Sequence, residues 1–265
     1  MEQRLKKIME KYQIIDSHLH LGVLGYMNIL GDPDGSMLKL VEKYGLDYAV
    51  FSHHAALAST TFGWEKTIEA LGKDSKLYAY IVFNPNHGDF GMKLLEENIG
   101  KERFSGVKIH PSWHRCYPAD ARYKRFWEYA HQNKLVVLSH SWNPDVANPD
   151  QKYSDPFLLA DIAKKYRDIT LILAHGGGRG AYLYKVLDIL KENKNIYVDF
   201  AGDILLPGLL EDYVDAIGSK RILFGTDMPW SDIRYHLLWI EGSEIDEKDK
   251  RNIFGLNAKR LFKLT

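Results

Sequence analysis

Ile14-Ile15-Asp16-Ser17-His18-Leu19-His20 is the stretch that decides how the rest of the chain is read. An apolar run ends here in two imidazoles, two residues apart. Strand side chains alternate faces, so both rings leave the same side of a strand. Imidazole nitrogen is a good ligand for a borderline divalent metal such as zinc. A strand that delivers two ligands at its end calls for a fold in which other strands end at the same place.

Seven further runs have the same form: Tyr48–His53, Leu77–Phe83, Gly106–His110, Leu135–His140, Thr170–His175, Ile196–Ala201 and Ile222–Asp227. With Ile14–Leu19 they make eight strand candidates, starting about 26 to 35 residues apart, the length of a βα unit. Amphipathic stretches lie between them. Ser36 is placed to cap a helix over Met37–Tyr44, and Asp155-Pro156 reads as a helix start. The tail from Asp246 reads as two short helices broken near Gly255. The pattern predicts an α/β protein, a (β/α)8 TIM barrel, in a single domain over residues 1–265. An open doubly wound sheet would need a Gly-x-Gly-x-x-Gly turn after its first strand, and Leu21-Gly22-Val23-Leu24-Gly25 does not match.

Composition narrows the function. The chain has 265 residues, 45% of them hydrophobic, enough for a sizeable core. Lys plus Arg and Asp plus Glu are 35 each, so the formal charge is zero and nothing favours nucleic acid or an anionic membrane as partner. One cysteine, Cys116, excludes an internal disulfide and suits a reducing compartment. Residues 1–13 lack the apolar centre of a signal peptide, and no apolar run is long enough for a membrane span. The expectation is a cytoplasmic protein acting on a small molecule, with a homodimer open to it.

The ionisable residues fall where the apolar runs stop. His140 ends the fifth run, His175 the sixth and Asp227 the eighth, and Lys108 and His110 share one face of the fourth. In a barrel these C-terminal strand ends meet at one rim, where active sites of the fold lie. A lone histidine at a strand end is usually just a satisfied polar residue. Several at the same end of several strands point to a metal site. Trp113, Trp142 and Trp230 follow three of those ends and suggest an aromatic-walled pocket. One of His53 and His54 must also face inward, with His53 the candidate for lining the pocket, and a buried Asp199 needs a partner, with Lys108 or a histidine available.

The pieces Ile15–His20, Gly106-Val107-Lys108-Ile109-His110-Pro111, His140, Ala174-His175-Gly176-Gly177-Gly178 and Phe224-Gly225-Thr226-Asp227-Met228-Pro229-Trp230 together resemble the amidohydrolase superfamily. More narrowly they resemble its amidohydrolase-related branch, which includes aminocarboxymuconate-semialdehyde decarboxylase and many metal-dependent TIM-barrel hydrolases. The resemblance implies that His18, His20, His140 and Asp227 surround one divalent ion, zinc by preference, with a second ion disfavoured. It places His175 beside a bound water and gives Asp227 the role of general base. Binuclear relatives bridge two ions with a carboxylated lysine. Lys108 stands two residues before its strand end, which favours a grip on a substrate carboxylate instead. His110, Trp113 and Trp142 would line the substrate site.

A metal-activated water then cleaves an amide, ester, lactone or related bond, so the implied activity is that of a metal-dependent hydrolase. The alternative is a metal-dependent non-oxidative decarboxylase, for which Lys108, Arg115, Arg122 and Arg179 are the cations able to hold a carboxylate. A non-catalytic metal- or ligand-binding barrel is the alternative from another class, and it should have lost a ligand.

Overall fold

The computed structural model describes residues 1–23, 33–101 and 103–264. Eight strands lie in one sheet in chain order: β1 Ile15–Leu21, β2 Tyr48–His53, β3 Leu77–Val82, β4 Phe104–Ile109, β5 Val136–Ser139, β6 Thr170–Leu173, β7 Ile196–Asp199 and β8 Ile222–Leu223. Helices alternate with them, giving the (β/α)8 barrel that the spacing predicts. A doubly wound sheet would reverse its strand order part-way, and this one does not. Of the turn Leu21–Gly25, Leu24 and Gly25 lie outside the described residues.

The chain packs as two compact units, residues 1–79 with 200–265, and residues 80–199. In the first, β1 pairs in parallel with β2, Ile15 opposite Tyr48 and Leu21 opposite His53. Ala49 of β2 lies opposite Leu77 of β3. Ser17 N–H donates to Phe224 O at 2.9 Å, which joins β1 to the residue after β8. Every residue of β1 is buried. Parallel strands covered on both faces normally read as unbroken apolar runs. Asp16, His18 and His20 break that rule, so they must find partners inside. Nearby, the helices His54–Ala58 and Thr60–Leu71 touch at Gly63, where a Cβ would sit 2.0 Å from Ala56 Cα.

In the second unit β4 to β7 pair in turn, with Lys108 opposite Leu138, Ser139 opposite Leu173, and Leu173 opposite Val198. Phe83, Tyr123, Phe126 and Trp127 form a buried aromatic cluster, Phe83 stacked on Phe126 at 4.5 Å. A fully buried phenylalanine contributes about 1.5–3 kcal/mol. The Trp127 indole N–H is satisfied by Pro118 O at 2.8 Å. Asp155 caps the helix Pro156–Lys165 by accepting Phe157 N–H at 3.0 Å.

Four elements differ from the sequence reading. The helix expected from Met37 begins at Pro33, because proline has no N–H to lose at a first helical position. The tail is not broken at Gly255: a π-helical turn, Asn252–Leu256, links Glu247–Arg251 to Asn257–Phe262. Strands β6 and β8 stop short of His175 and Asp227. Both residues have left-handed backbone, φ 59° and 61°, which cannot continue a ladder.

Candidate metal centre

Asp16 organises the end of β1. Its Oδ1 accepts His18 N–H at 3.0 Å and Thr226 N–H at 3.2 Å, and its Oδ2 accepts the Thr226 hydroxyl at 2.5 Å. Beyond β8 the main chain is stitched back to β1: Asp227 N–H donates to His18 O at 2.7 Å and His20 N–H to Met228 O at 2.7 Å. These bonds hold Asp227 in its left-handed conformation, which costs strain unless the surroundings fix it. They also aim its carboxylate at the two imidazoles. Oδ1 lies 3.5 Å from His18 Nε2 and 3.0 Å from His20 Nε2.

This cluster fits a divalent cation. His20 Nδ1 sits 3.1 Å from Ser52 O and 3.0 Å from the Ser52 hydroxyl; the carbonyl only accepts, and the tautomer that serves it puts the proton on Nδ1. Nε2 is then a lone pair facing a carboxylate oxygen at 3.0 Å. Two acceptors so close repel unless a cation lies between them. Ligand atoms about 2.1 Å from an ion and roughly 90–110° apart are separated by about 3.0–3.4 Å. The 3.0 Å separation falls within that edge length and the 3.5 Å one lies just above it. Among the described residues His18, His20 and Asp227 form the group whose ligand atoms all lie within 4.8 Å of one another.

The two histidines after β2 divide their work. His53 Nδ1 accepts Ala55 N–H at 3.1 Å and caps the helix His54–Ala58, while its Nε2 faces Asp34 Oδ2 at 3.5 Å. Asp34 Oδ1 also accepts Gly22 N–H at 2.6 Å. Burial pushes the Asp34 carboxyl up, but His53, Gly22 N–H and Lys73 outweigh it and hold it below its ordinary value. His54 is the one that meets the ligands: its ring stacks on His20 at 4.4 Å and 16°. Burial first, then His20, pushes its pKa down to about 3, so it is neutral. His54 Nδ1 lies 3.0 Å from Gly22 O, and Trp230 Nε1 donates to His54 Nε2 at 3.1 Å.

In the second unit the other candidates gather round His140. Its ring stacks on His110 at 4.1 Å and lies parallel to Trp142, with centroids 6.1 Å apart. Both of its nitrogens are engaged, Nδ1 by His175 Nε2 at 3.1 Å and Nε2 by Gln151 Oε1 at 3.1 Å. Gln151 Oε1 also accepts the Ser112 hydroxyl at 2.9 Å. His110 Nδ1 accepts Trp113 N–H at 3.2 Å and so caps the short helix Pro111–His114, leaving Trp113 39% exposed. Asp199 has the partner its burial demands, His175 N–H at 3.0 Å. Lys108 is fully buried on β4. Of the three arginines raised as carboxylate grips, Arg115 is held by Asp150 at 3.0 Å and Arg122 by Asp120 at 2.9 Å. Arg179 lies over Trp142, its guanidinium carbon 4.9 Å from the ring. Gln151 is a residue that sequence reasoning does not single out, and of the pair His53 and His54 it favours the first, whereas the second meets the ligands. Gln151 and His54 each reach the site through a contact between distant segments.

A (β/α)8 barrel with a His-x-His pair and an aspartate poised to hold a divalent ion defines a class of metal-dependent barrel enzymes. Within that class the chain belongs to the amidohydrolase family, whose model matches residues 15–264. It is similar to the gamma-resorcylate decarboxylase of Polaromonas sp. (strain JS666), 36% identical over 80 residues, 30% of this chain and 24% of that protein. The match thus spans about a quarter of that relative's length. Two solved structures share the fold. A 2,6-dihydroxybenzoate decarboxylase complexed with 2,6-dihydroxybenzoate superposes with a TM-score of 0.73 at 19% identity, covering 96% of this chain and 98% of that one. A dihydroxybenzoic acid decarboxylase from Polaromonas sp. JS666, with bound manganese and the inhibitor 2-nitroresorcinol, gives 0.69 at 18%, covering 96% and 97%. Hydrolysis, the activity first implied by the resemblance, is corrected by these relatives, which are decarboxylases. A divalent-ion site stands, but zinc is not singled out, since a structural neighbour holds manganese. No helix among the described residues is long and apolar enough to cross a membrane.

Proposed function

We propose that the protein is a metal-dependent, non-oxidative decarboxylase of a small aromatic carboxylic acid. The observation that carries this reading is the 36% identity over 80 residues with gamma-resorcylate decarboxylase. His18, His20 and Asp227 hold the ion. Manganese is the first ion to test. When bound, a divalent ion supplies a fixed positive charge that stabilises negative charge developing on the substrate.

The chain's own residues do the rest. Arg179 orients the substrate carboxylate, and its stacking on Trp142 keeps the guanidinium from swinging away. Trp142 and His110 offer flat faces to an aromatic ring. Lys108 offers a second cation, and its burial makes an anionic partner worth more than in water. The carbon–carboxyl bond breaks, CO2 leaves, and the electron pair stays on the ring carbon. A proton then takes the place of CO2 on that carbon. Asp227 carries it on Oδ2, since Oδ1 faces the imidazoles. His175, fixed through Asp199 and His140, orients a substrate oxygen.

The test is to load the protein with Mn2+ or Zn2+, supply 2,6-dihydroxybenzoate and other hydroxybenzoates, and measure CO2. The expected result is stoichiometric CO2 and, in D2O, one deuterium on the carbon that lost its carboxyl group. Metal-loaded protein that releases no CO2 from any hydroxybenzoate would refute the reading.

A further inference from the structure

We propose that His54 is a positioning residue of the metal centre, bracing His20 by stacking and pinning the segment that carries Asp227 through the indole of Trp230. The inference rests on the reading of His18, His20 and Asp227 as a metal site. It assigns a task to a residue that neither touches an ion nor reacts.

The hydrogen-bond roles around His54 are unambiguous. Its Nδ1 lies 3.0 Å from Gly22 O, which can only accept, so Nδ1 carries the proton. Its Nε2 lies 3.1 Å from the Trp230 indole N–H, which can only donate, so Nε2 is the acceptor. One tautomer satisfies both, and both ring nitrogens are used. The ring plane is used as well: it lies against His20 at 4.4 Å, nearly parallel, and meets the Trp230 ring edge-on at 5.9 Å and 88°.

Each contact bears on a different ligand. His20 is held on one ring edge by Ser52, and His54 covers its face, so the imidazole cannot rotate away from Asp227. Trp230 N–H donates to Asp227 O at 2.8 Å, so the two residues share one tight turn. Fixing the Trp230 indole therefore fixes that turn and the carboxylate on it. Gly22, the carbonyl partner, is held in its own right by Asp34. Trp230 is 41% exposed, and the bond to His54 ties its indole to the ring that covers His20. Groups that orient a ligand in this way typically change metal affinity 10–100-fold when removed.

The experiment reads Mn2+ affinity, by the electron-paramagnetic-resonance signal of free Mn2+, together with the Trp230 indole N–H peak in an NMR spectrum, assigned by its loss in Trp230→Phe. In the wild type the peak should be shifted from the solvent position and slow to exchange. His54→Phe keeps a ring against His20 but offers no nitrogen. It should send the Trp230 peak to the solvent position and weaken Mn2+ binding about 10-fold. His54→Ala, which removes the stack as well, should approach about 100-fold. His54→Gln, with one donor and one acceptor, should restore the peak and part of the affinity. Trp230→Phe, at an exposed position, keeps the proposal testable if the His54 variants do not fold, and it too should weaken binding. Wild-type affinity in His54→Phe or Trp230→Phe overturns the proposal, and so does an unchanged Trp230 peak in His54→Phe. Wild-type protein that binds no Mn2+ overturns the metal centre itself, and the bracing role falls with it.

Discussion

Replacing Asp16 with alanine should destabilise the protein by about 3–5 kcal/mol. The carboxylate is fully buried and accepts three hydrogen bonds, from His18 N–H, Thr226 N–H and the Thr226 hydroxyl. A buried donor left without a partner costs about 1–3 kcal/mol. The three are not equal. Thr226 N–H has a second acceptor, His18 O at 3.1 Å, and so loses little. His18 N–H and the hydroxyl lose more, and the missing side chain leaves a small void. The relief of no longer burying a charge offsets part of the sum. Asp16→Asn keeps the shape and an acceptor for the two N–H groups, and its NH2 can donate to Thr226 Oγ1. It should cost only about 1–2 kcal/mol, the loss of charge assistance. Urea unfolding of both variants measures the difference, and a double-mutant cycle with Thr226→Val should return a coupling of about 1–3 kcal/mol. An Asp16→Ala protein within about 0.5 kcal/mol of the wild type, or a coupling near zero, would show that the clamp is incidental. The same variant should bind Mn2+ more weakly, because the clamp fixes His18 directly and Asp227 through the next residue.

Three other outcomes are expected. Asp34 has a folded-state pKa below its ordinary value of 3.8, so its stabilisation is complete above that value and is lost as pH falls through the folded one. Stability curves of wild type and Asp34→Asn should therefore diverge above about pH 4 and converge below it, and an equal gap at pH 3 and pH 7 would contradict the pairing. Cys116 is buried, and burial pushes its thiol up to about 11, so iodoacetamide at pH 8 should label it only after unfolding; rapid labelling of the native protein would disprove this. Arg179→Met should raise KM for an aromatic carboxylate about 10–100-fold, the worth of one charge-assisted bond, with a smaller change in kcat. An unchanged KM would remove Arg179 from the site.

The barrel was legible because its signal is periodic. Tyr48–His53 matches β2 to the residue, and the other strands differ mainly at their ends. Those ends are where chemistry and backbone conformation compete. The apolar pattern runs on to His175 and Asp227, but the ladders end earlier, at Leu173 and Leu223, and both polar residues then take left-handed backbone. The His-x-His and Asp227 were legible as a group because strand ends of a barrel converge. What surrounds them was not. Asp16 looks like any polar residue before a histidine, and its clamp depends on Thr226, 210 residues away. Gln151 sits in a 3-10 turn, Pro149–Ser154, inside a loop with no periodic signal. Of the adjacent pair His53 and His54, alternation predicts that one faces inward. It gives no means of seeing that the first ends the strand as a helix cap and the second belongs to the helix that follows.

The left-handed backbone at His175 and Asp227 also limits what mutation can reach. Outside glycine, that region of conformational space is enriched in asparagine, aspartate and histidine, although Arg115, Lys134 and Lys263 also enter it here. The residue types favoured at these two positions are therefore few, and they include ones that hold protons and metals. Glutamate is not among them, so Asp227→Glu is a larger change than its conserved charge suggests. The nearest tolerated neighbour is asparagine, which keeps the backbone and discards the carboxylate. A related chain with asparagine at this position would have kept its fold while giving up its ion.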